Sequence, residues 1–108
     1  MIIASLRLVV SKDHAEEVEQ VFQLLAGPTR AEPGCLKCWY YRDLENDSTF
    51  ALFQSWNSEQ SMHHYLKSDL YKKVLTLMDM VSESPEISFY TCTSRKGMEV
   101  IKKARRWA

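Results

Sequence analysis

The sequence has no excess charge of either sign, no long apolar segment and few cysteines. Its 108 residues include 14 basic and 14 acidic side chains, so no strong overall field favours nucleic acid or a membrane as partner. No apolar run reaches the length of about 18 residues that spans a bilayer, and the N-terminus lacks the pattern of a signal peptide. An odd number of cysteines, three, fits a reducing compartment better than a disulfide framework. These features predict one globular, cytoplasmic domain.

Apolar residues follow the spacing of alternating strands and helices. Segments rich in β-branched and aromatic residues predict strands at residues 2–10, 35–43, 48–56 and 86–93. Apolar residues at helical spacing predict helices at residues 13–27 and 57–81. A capping box of Asp13 and Glu16 is expected to start the first helix, which should end at Gly27-Pro28, and the second should break at Ser68-Asp69. The order β-α-β-β-α-β predicts an α+β protein with the ferredoxin-like split βαβ sandwich.

Cys35 and Cys38 have the C-x-x-C spacing of redox and metal sites. Residues three apart in a strand point to opposite faces, so the two thiols are not expected to face each other. The redox motif needs a helix N-terminus after it, whereas aromatic strand residues follow here. Zinc needs a fuller ligand set, and only the distant Cys92 remains. We therefore interpret both cysteines as strand residues and predict no metal site.

Aromatic residues are concentrated in the predicted sheet. They are Trp39, Tyr40, Tyr41, Phe50, Phe53, Trp56, Phe89 and Tyr90. Two helices cover only one face of such a sheet, which leaves an apolar patch of the size that marks an interaction site. Face-to-face packing of two sheets in a symmetric homodimer would cover it. The alternative, that these residues only form two layers of core, stays open.

Two segments, PTRAEPGCLKCWYYRDLEND and FALFQSWNSEQSMHHYLKSDLYKKV, carry a family resemblance. They contain a Glu-Pro-Gly-Cys-Leu turn into a strand, an Arg-Asp hairpin start, a Trp-x-Ser helix start and a Leu-x-Ser element. The chain resembles the antibiotic-biosynthesis-monooxygenase (ABM) domain over roughly residues 2–93. The resemblance implies a dimeric α+β barrel with a pocket between the sheet and the helices of each subunit. Characterised members include cofactor-independent oxygenases of polycyclic phenols or quinols, and haem-degrading enzymes.

The resemblance implies a substrate site around Trp56, which the polyketide-type oxygenases share. Their asparagine and tyrosine correspond here to Leu52 and Met62, so two of the three family residues differ. The asparagine, tryptophan and ligating histidine of the haem-degrading members correspond to Leu6, Tyr65 and Leu75. A proximal iron ligand is therefore missing, and no cofactor is expected.

Polar side chains near this pocket supply the candidate chemistry. His63 and His64 are neighbours on a helix, about 100° apart, so they cannot bind one metal together. One of them could act as a general base on a phenol, because imidazole titrates near neutrality; both could equally be solvated helix residues. The candidate catalytic residues are His64 and Tyr65. The candidate substrate-binding residues are Trp56, Tyr40, Leu52 and Met62.

Two functions follow from these residues. The first is a cofactor-independent monooxygenase of a small aromatic quinol or phenol, in which the substrate anion gives an electron to O₂. The second is a non-catalytic homodimer, joined through the sheet face, that binds a small hydrophobic or aromatic ligand. The retained Trp56 favours the first, and the replacements at Leu52 and Met62 favour the second.

The C-terminal segment 94–108 lies outside the ABM-like domain predicted for residues 1–93. It carries six basic residues and one acidic residue, so the rest of the chain is net acidic. Ser94 can cap a helix whose apolar side comprises Met98, Ile101 and Trp107. We predict a basic helical tail that packs on its own dimer; binding to an anionic surface or to nucleic acid is the alternative for such a segment.

Overall fold

The computed structural model describes residues 1–106, which form one antiparallel sheet and its helices. Its strands are β1 (Ile2–Val9), β2 (Cys35–Arg42), β3 (Thr49–Trp56) and β4 (Glu86–Thr91). Its helices are α1 (Lys12–Arg30), α2 (Glu59–Leu66), α3 (Asp69–Met78) and α4 (Met98–Arg105). The strand order is β2-β3-β1-β4. The predicted α+β fold and its C-terminal helix are confirmed, and Trp107 of the predicted tail lies outside the described residues.

Alternation along the strands gives the sheet one covered face and one bare face. On the covered face, Leu8 of β1 and Leu52 of β3 are buried against the helices. On the other face, Trp39 is 43% exposed and Tyr41 is 50% exposed. The uncovered aromatic face predicted from the sequence is therefore present in the single chain. Within residues 1–106, no helix is both long enough and apolar enough to cross a bilayer.

The end of α1 differs from the prediction, because the helix continues through Gly27 and Pro28 to Arg30. Proline lacks the N–H of a helical hydrogen bond, so this turn is weak on its own. Contacts with β2 stabilise it: Arg30 Nε donates to the Cys38 carbonyl at 2.9 Å. The extra turn also brings Thr29 into the core, where it is fully buried.

The predicted break at Ser68-Asp69 is right, and the helix starts predicted at Asp13 and Ser94 are wrong. The hydroxyl oxygens of Ser58 and Ser68 accept hydrogen bonds from the first turns of α2 and α3, which confirms the break between these helices. Ser11, rather than the Asp13–Glu16 pair, precedes α1, and its hydroxyl bonds to the imidazole of His14 at 2.9 Å. Helix α4 begins at Met98 rather than at Ser94.

A β-bulge in β2 overturns the expectation that Cys35 and Cys38 point to opposite faces. The register shifts between Cys35 and Lys37, so Cys35 lies opposite Trp56 and Cys38 lies opposite Gln54. An extra residue in a strand reverses the alternation that follows it. Both cysteines therefore face the helices, where Cys38 is buried and Cys35 packs against the core.

The Pro-Gly turn before β2 fixes the position of α2. Gly34 has a φ of 85°, a backbone conformation that glycine adopts without strain. Its carbonyl accepts the backbone N–H of Asn57 at 2.9 Å, and a Cβ there would collide with the side chain of Ser61. The turn thus lies tightly against the junction of β3 and α2, where Trp56 is found.

Candidate functional site

The two largest fully buried side chains meet where β3 ends and α2 lies over the sheet. The rings of Trp56 and Tyr65 stack with centroids 4.8 Å apart and planes 28° apart. Gln54 joins their polar atoms: its Oε1 accepts from Trp56 Nε1 at 3.2 Å, and its Nε2 donates to the Tyr65 hydroxyl at 3.0 Å. We call these three residues the Gln54 cluster.

The local sequence explains why the cluster forms. Residues two apart on a strand share a face, so Leu52, Gln54 and Trp56 all point towards the helices. Residues three apart on a helix also share a side, which turns Met62 and Tyr65 of α2 towards the sheet. A buried amide must find hydrogen-bond partners, and the two aromatic side chains supply them to Gln54.

Two further hydroxyls are buried near the cluster without a hydrogen-bond partner of standard geometry. They are Oγ1 of Thr29 on α1 and the phenolic oxygen of Tyr40 on β2. The Tyr40 ring packs on Phe22 with centroids 4.5 Å apart, and Cys38 lies close to its hydroxyl. An unpaired buried polar group costs about 1–3 kcal/mol, so this part of the core is polar at a cost in stability.

Burial keeps the tyrosines and cysteines of this region protonated. It raises the pKa of Tyr65 to about 12, and the Gln54 hydrogen bond lowers it by less. The pKa of Tyr40 is also well above its usual range because of burial. Burial likewise raises the pKa of Cys35 to about 11 and that of Cys38 above its usual value. Tyr65 is therefore a neutral hydrogen-bonding group, and the thiols lack the low pKa of redox cysteines.

A narrow cleft between β4 and the helices reaches Gln54, the one member of the cluster among its lining residues. Its lining includes Leu52, Gln54, Leu66, Tyr71, Ile87 and Phe89. Its volume is about 10 Å³, room for roughly one water molecule, whereas ligand pockets usually hold about 300–1,000 Å³. At its outer rim, the side chains of Ile87 and Phe89 are 46% and 45% exposed.

The structure brings some of the predicted site residues together and separates others. Trp56 and Tyr65 are in contact, and Leu52 lines the cleft beside them. Met62 is buried one helical turn from Tyr65, while Tyr40 lies on the side facing α1. The predicted base is elsewhere: His64 is exposed on the outer side of α2. There it lines an open groove of about 670 Å³ with Pro33, His63 and Lys67.

Sequence reasoning missed Gln54, which holds the cluster together. The available signal was a polar side chain at a core-facing strand position, between Leu52 and Trp56. Its partner Tyr65 comes from α2, and that contact depends on the docking of the helix. Within residues 1–106, no group of three or more His, Cys, Asp or Glu side chains is placed to hold a metal ion.

Comparison with known proteins places the chain and its fold in a family. The family model of antibiotic biosynthesis monooxygenase matches residues 1–76. This chain belongs to that family. A Deinococcus radiodurans protein provisionally named an antibiotic biosynthesis monooxygenase has 25% identity and a TM-score of 0.81, over 90% of this chain and 97% of that one. A conserved protein from Methanosarcina mazei has 24% identity and a TM-score of 0.75, over 82% of this chain and 89% of that one.

A curated relative is similar over most of this chain. An uncharacterised protein of Synechocystis is 24% identical over 90 residues, which are 82% of this chain. The match covers 61% of that protein, so this chain spans less than two thirds of its length. The resemblance to the ABM family is therefore confirmed, while the division of the chain at residue 93 stays a prediction.

Proposed function

We propose that this ABM-family chain is a cofactor-independent monooxygenase of a small aromatic quinol or phenol. The observation that carries the proposal is a mostly apolar cleft lined by Gln54, whose amide is hydrogen-bonded to the buried Trp56 and Tyr65. A flat ring suits apolar walls, and its oxygen needs a fixed polar partner at one end. The cleft offers both, once its exposed rim at Ile87 and Phe89 opens enough to admit a ring.

In the proposed reaction the bound phenol or enol loses a proton and its anion transfers electrons to O₂. One oxygen atom then becomes a carbonyl on the ring carbon that carries two hydrogens in the keto form of the substrate, and the other leaves as water with those two hydrogens. The substrate supplies all the electrons, so no metal or flavin takes part in the proposal. The protein would contribute a dry site and hydrogen bonds that favour the anionic form of the substrate.

We propose that Tyr65, which lies behind Gln54 in the closed cleft, contacts the substrate oxygen once the cleft opens. Its oxygen already accepts from Gln54, and its raised pKa keeps its own proton available for donation. Trp56 would hold the Tyr65 ring in place by stacking. His64 lies on the outer side of α2, so the substrate proton would leave through the open rim of the cleft rather than to this imidazole.

We also propose that the protein acts as a homodimer packed through the bare sheet face. This face carries Trp39, Tyr41, Phe53 and Tyr90, and the rings of Trp39 and Phe53 stack with centroids 6.4 Å apart. Exposed aromatic surface of this kind favours association. Towards β4 the face becomes more polar, with Ser5, Ser88 and the Arg7–Glu86 ion pair at 3.9 Å.

A second function is favoured by the tight packing of the same region. Trp56 and Tyr65 are fully buried and stacked on each other, and the cleft beside them holds about 10 Å³. Because so little free volume remains beside these rings, the protein would bind a small hydrophobic ligand at the rim of the cleft. Such binding suits a non-catalytic dimer. Such a protein would bind flat phenols without consuming oxygen.

Oxygen uptake with a panel of hydroquinones and anthrone-like phenols separates the two functions. The monooxygenase proposal expects uptake by metal-free wild type and a loss of about 100-fold or more in kcat in Tyr65→Phe. His64→Ala is the matched control on the same helix and should keep wild-type activity. Binding of the panel without uptake would favour the ligand-binding dimer, and uptake lost in His64→Ala instead would assign the chemistry to the outer groove.

A further inference from the structure

A slot of about 230 Å³ lies between α1 and the edge strand β2. It shares no lining residue with the narrow cleft described above, so it is a separate cavity. Phe22, Ala26 and Arg30 line it from one side of α1, where residues three or four apart are neighbours. Tyr40 and Arg42 line it from β2. One helix and the edge of the sheet therefore build the slot within a single chain.

Three adjacent aromatic rings form the apolar part of the slot. The ring centroid of Phe22 lies 4.5 Å from that of Tyr40 and 5.7 Å from that of Phe50. Phe22 and Phe50 are 4% and 2% exposed, so the packed core holds these rings in place. An engineered cavity of about 150 Å³ in another protein holds benzene. The slot thus has room for one ring with a short substituent.

An ion pair occupies one end of the slot. Arg42 Nη1 lies 3.1 Å from Glu19 Oε2, and Arg42 Nε donates to the Asp47 carbonyl at 2.6 Å. The guanidinium also lies over the ring of Phe50, 4.9 Å from its centroid. These contacts fix Arg42 and neutralise its charge, so this end of the slot does not attract an anion.

The other end of the slot carries Arg30, which has a different set of contacts. Arg30 lies eleven residues after Glu19 on α1, roughly 16 Å along the helix axis. Its Nε donates to the Cys38 carbonyl at 2.9 Å, which fixes the guanidinium. Within residues 1–106, no ion pair joins Arg30 to an acidic side chain. Its two terminal nitrogens lie side by side, the arrangement that binds both oxygens of a carboxylate.

We propose that the slot binds a small aromatic carboxylate with a single ring, such as benzoate. The ring of the ligand packs on Phe22 and Tyr40, and its carboxylate accepts hydrogen bonds from the terminal nitrogens of Arg30. The charged lining residues are Arg30, Arg42 and Glu19, which leave one positive charge for the one negative charge of the ligand. This binding site is separate from the proposed oxygenase site and does not depend on its activity.

Both parts of the ligand are needed to use the slot. A neutral ring would cover the aromatic walls but leave Arg30 without a counter-charge, and acetate would pair with Arg30 but leave the walls uncovered. Arg30 is exposed at the mouth of the slot, and exposed ion pairs are weak. For a ligand of so few atoms we expect a Kd on the order of 0.1–1 mM.

Titration of ¹⁵N-labelled protein with benzoate tests the site, because chemical shifts both locate the ligand and give its Kd. The backbone amides of Ala26, Arg30 and Tyr41 should shift and saturate. Benzyl alcohol, which has the same ring without the charge, should bind about fivefold more weakly, the factor that one exposed ion pair supplies. Acetate should cause no saturable shift at these amides.

Two variants separate the charge from the ring contact. Arg30→Met removes the charge at similar length and should weaken benzoate about fivefold while leaving benzyl alcohol unchanged. Because this variant also loses the hydrogen bond to Cys38, Ala26→Leu provides a second test with Arg30 in place. It fills the slot from α1 and should abolish the binding of both compounds. Arg7→Met, on the bare face, is the matched control and should bind both like wild type.

Three results would overturn the proposal. The first is no saturable shift in wild type at benzoate concentrations well above the expected Kd. The second is equal affinity for benzoate and benzyl alcohol, which would show that Arg30 does not bind the carboxylate. The third is saturable shifts confined to residues of the narrow cleft, such as Leu66 and Ile87, which would place the ligand there instead of in the slot.

Discussion

Two tryptophans on opposite faces of one sheet have very different surroundings. Trp56 on the covered face is completely buried, stacks on Tyr65 and donates its indole N–H to Gln54. Trp39 on the bare face is 43% exposed, and the ammonium of Lys37 lies 5.3 Å from its ring centroid. One tryptophan is thus part of the packed core, and the other is part of a partly exposed aromatic surface.

The difference separates the face that this chain packs by itself from the face that the proposed dimer would cover. On the covered face, α1 to α3 close the core and the Gln54 cluster satisfies its own polar atoms. On the bare face, the aromatic rings of Trp39 and Tyr41 stay about half exposed. The packed core and the candidate chemistry therefore belong to the covered face, and the proposed dimer contact belongs to the bare one.

The largest expected effect comes from removing the buried indole. Trp56→Ala should lower the free energy of unfolding by about 3–5 kcal/mol, because it empties a large packed volume and leaves Gln54 without a donor. Urea unfolding measures this loss, which should not depend on protein concentration. Trp39→Ala is the matched control, and its effect should shrink at concentrations where the dimer dissociates. If both variants lost the same free energy of unfolding at every protein concentration, the two faces would not differ in the way described here.

The next largest effect concerns the bare face. Trp39→Glu places a charge in the proposed interface and should weaken the dimer by about 2–4 kcal/mol, the cost expected at an interface hot spot. Sedimentation should then show a folded monomer with an unchanged far-ultraviolet circular dichroism spectrum. A wild-type affinity in this variant would mean that the dimer, if formed, uses another surface.

A smaller effect tests the hydrogen bonds within the covered face. Gln54→Leu keeps the approximate volume but leaves the Trp56 N–H and the Tyr65 hydroxyl without their partner. The expected loss is about 1–3 kcal/mol in the free energy of unfolding. Gln60→Leu, at an exposed position on α2, should change stability much less. A higher free energy of unfolding in Gln54→Leu would show that the buried amide destabilises the fold and that its hydrogen bonds do not offset its desolvation.

The smallest effect is a dependence on alkaline pH. The pKa of Tyr65 is raised from 10.0 to about 12, so the folded chain resists ionisation of this phenol more than the unfolded chain does. The stability linked to the neutral phenol is complete below pH 10.0 and is lost as the pH rises towards about 12. Tyr65→Phe should flatten this fall in urea unfolding. Parallel profiles for wild type and Tyr65→Phe would contradict the assignment.

Much of the fold follows from patterns that the sequence displays directly. Alternation of period two and capping serines such as Ser58 and Ser68 are local signals, and the strands and helix starts they predict are present. The errors arise where distant contacts override local preference. Pro28 should end α1, yet the hydrogen bond from Arg30 to β2 carries the helix past it.

The candidate site was harder to predict than the fold. The β-bulge beside Cys35 reverses which of the following side chains face the helices. No residue type at this point of the sequence predicts a bulge. Trp56 and Tyr65 were expected near the pocket, but their direct stacking through docking of α2 was not. The side of a short helix on which His64 lies depends on that same docking, so spacing alone could not place it.

Isotope labelling of the product tests the proposed activity most directly. Metal-free, dimeric wild type should be incubated with the reactive quinol or anthrone-like phenol under ¹⁸O₂, and the product analysed by mass spectrometry. We predict one ¹⁸O atom per product molecule, with the other oxygen atom found in water, and a much slower reaction in Tyr65→Phe. Oxygen derived only from water, or no product from any compound of the panel with folded dimeric protein, would contradict a monooxygenase at the Gln54 cluster.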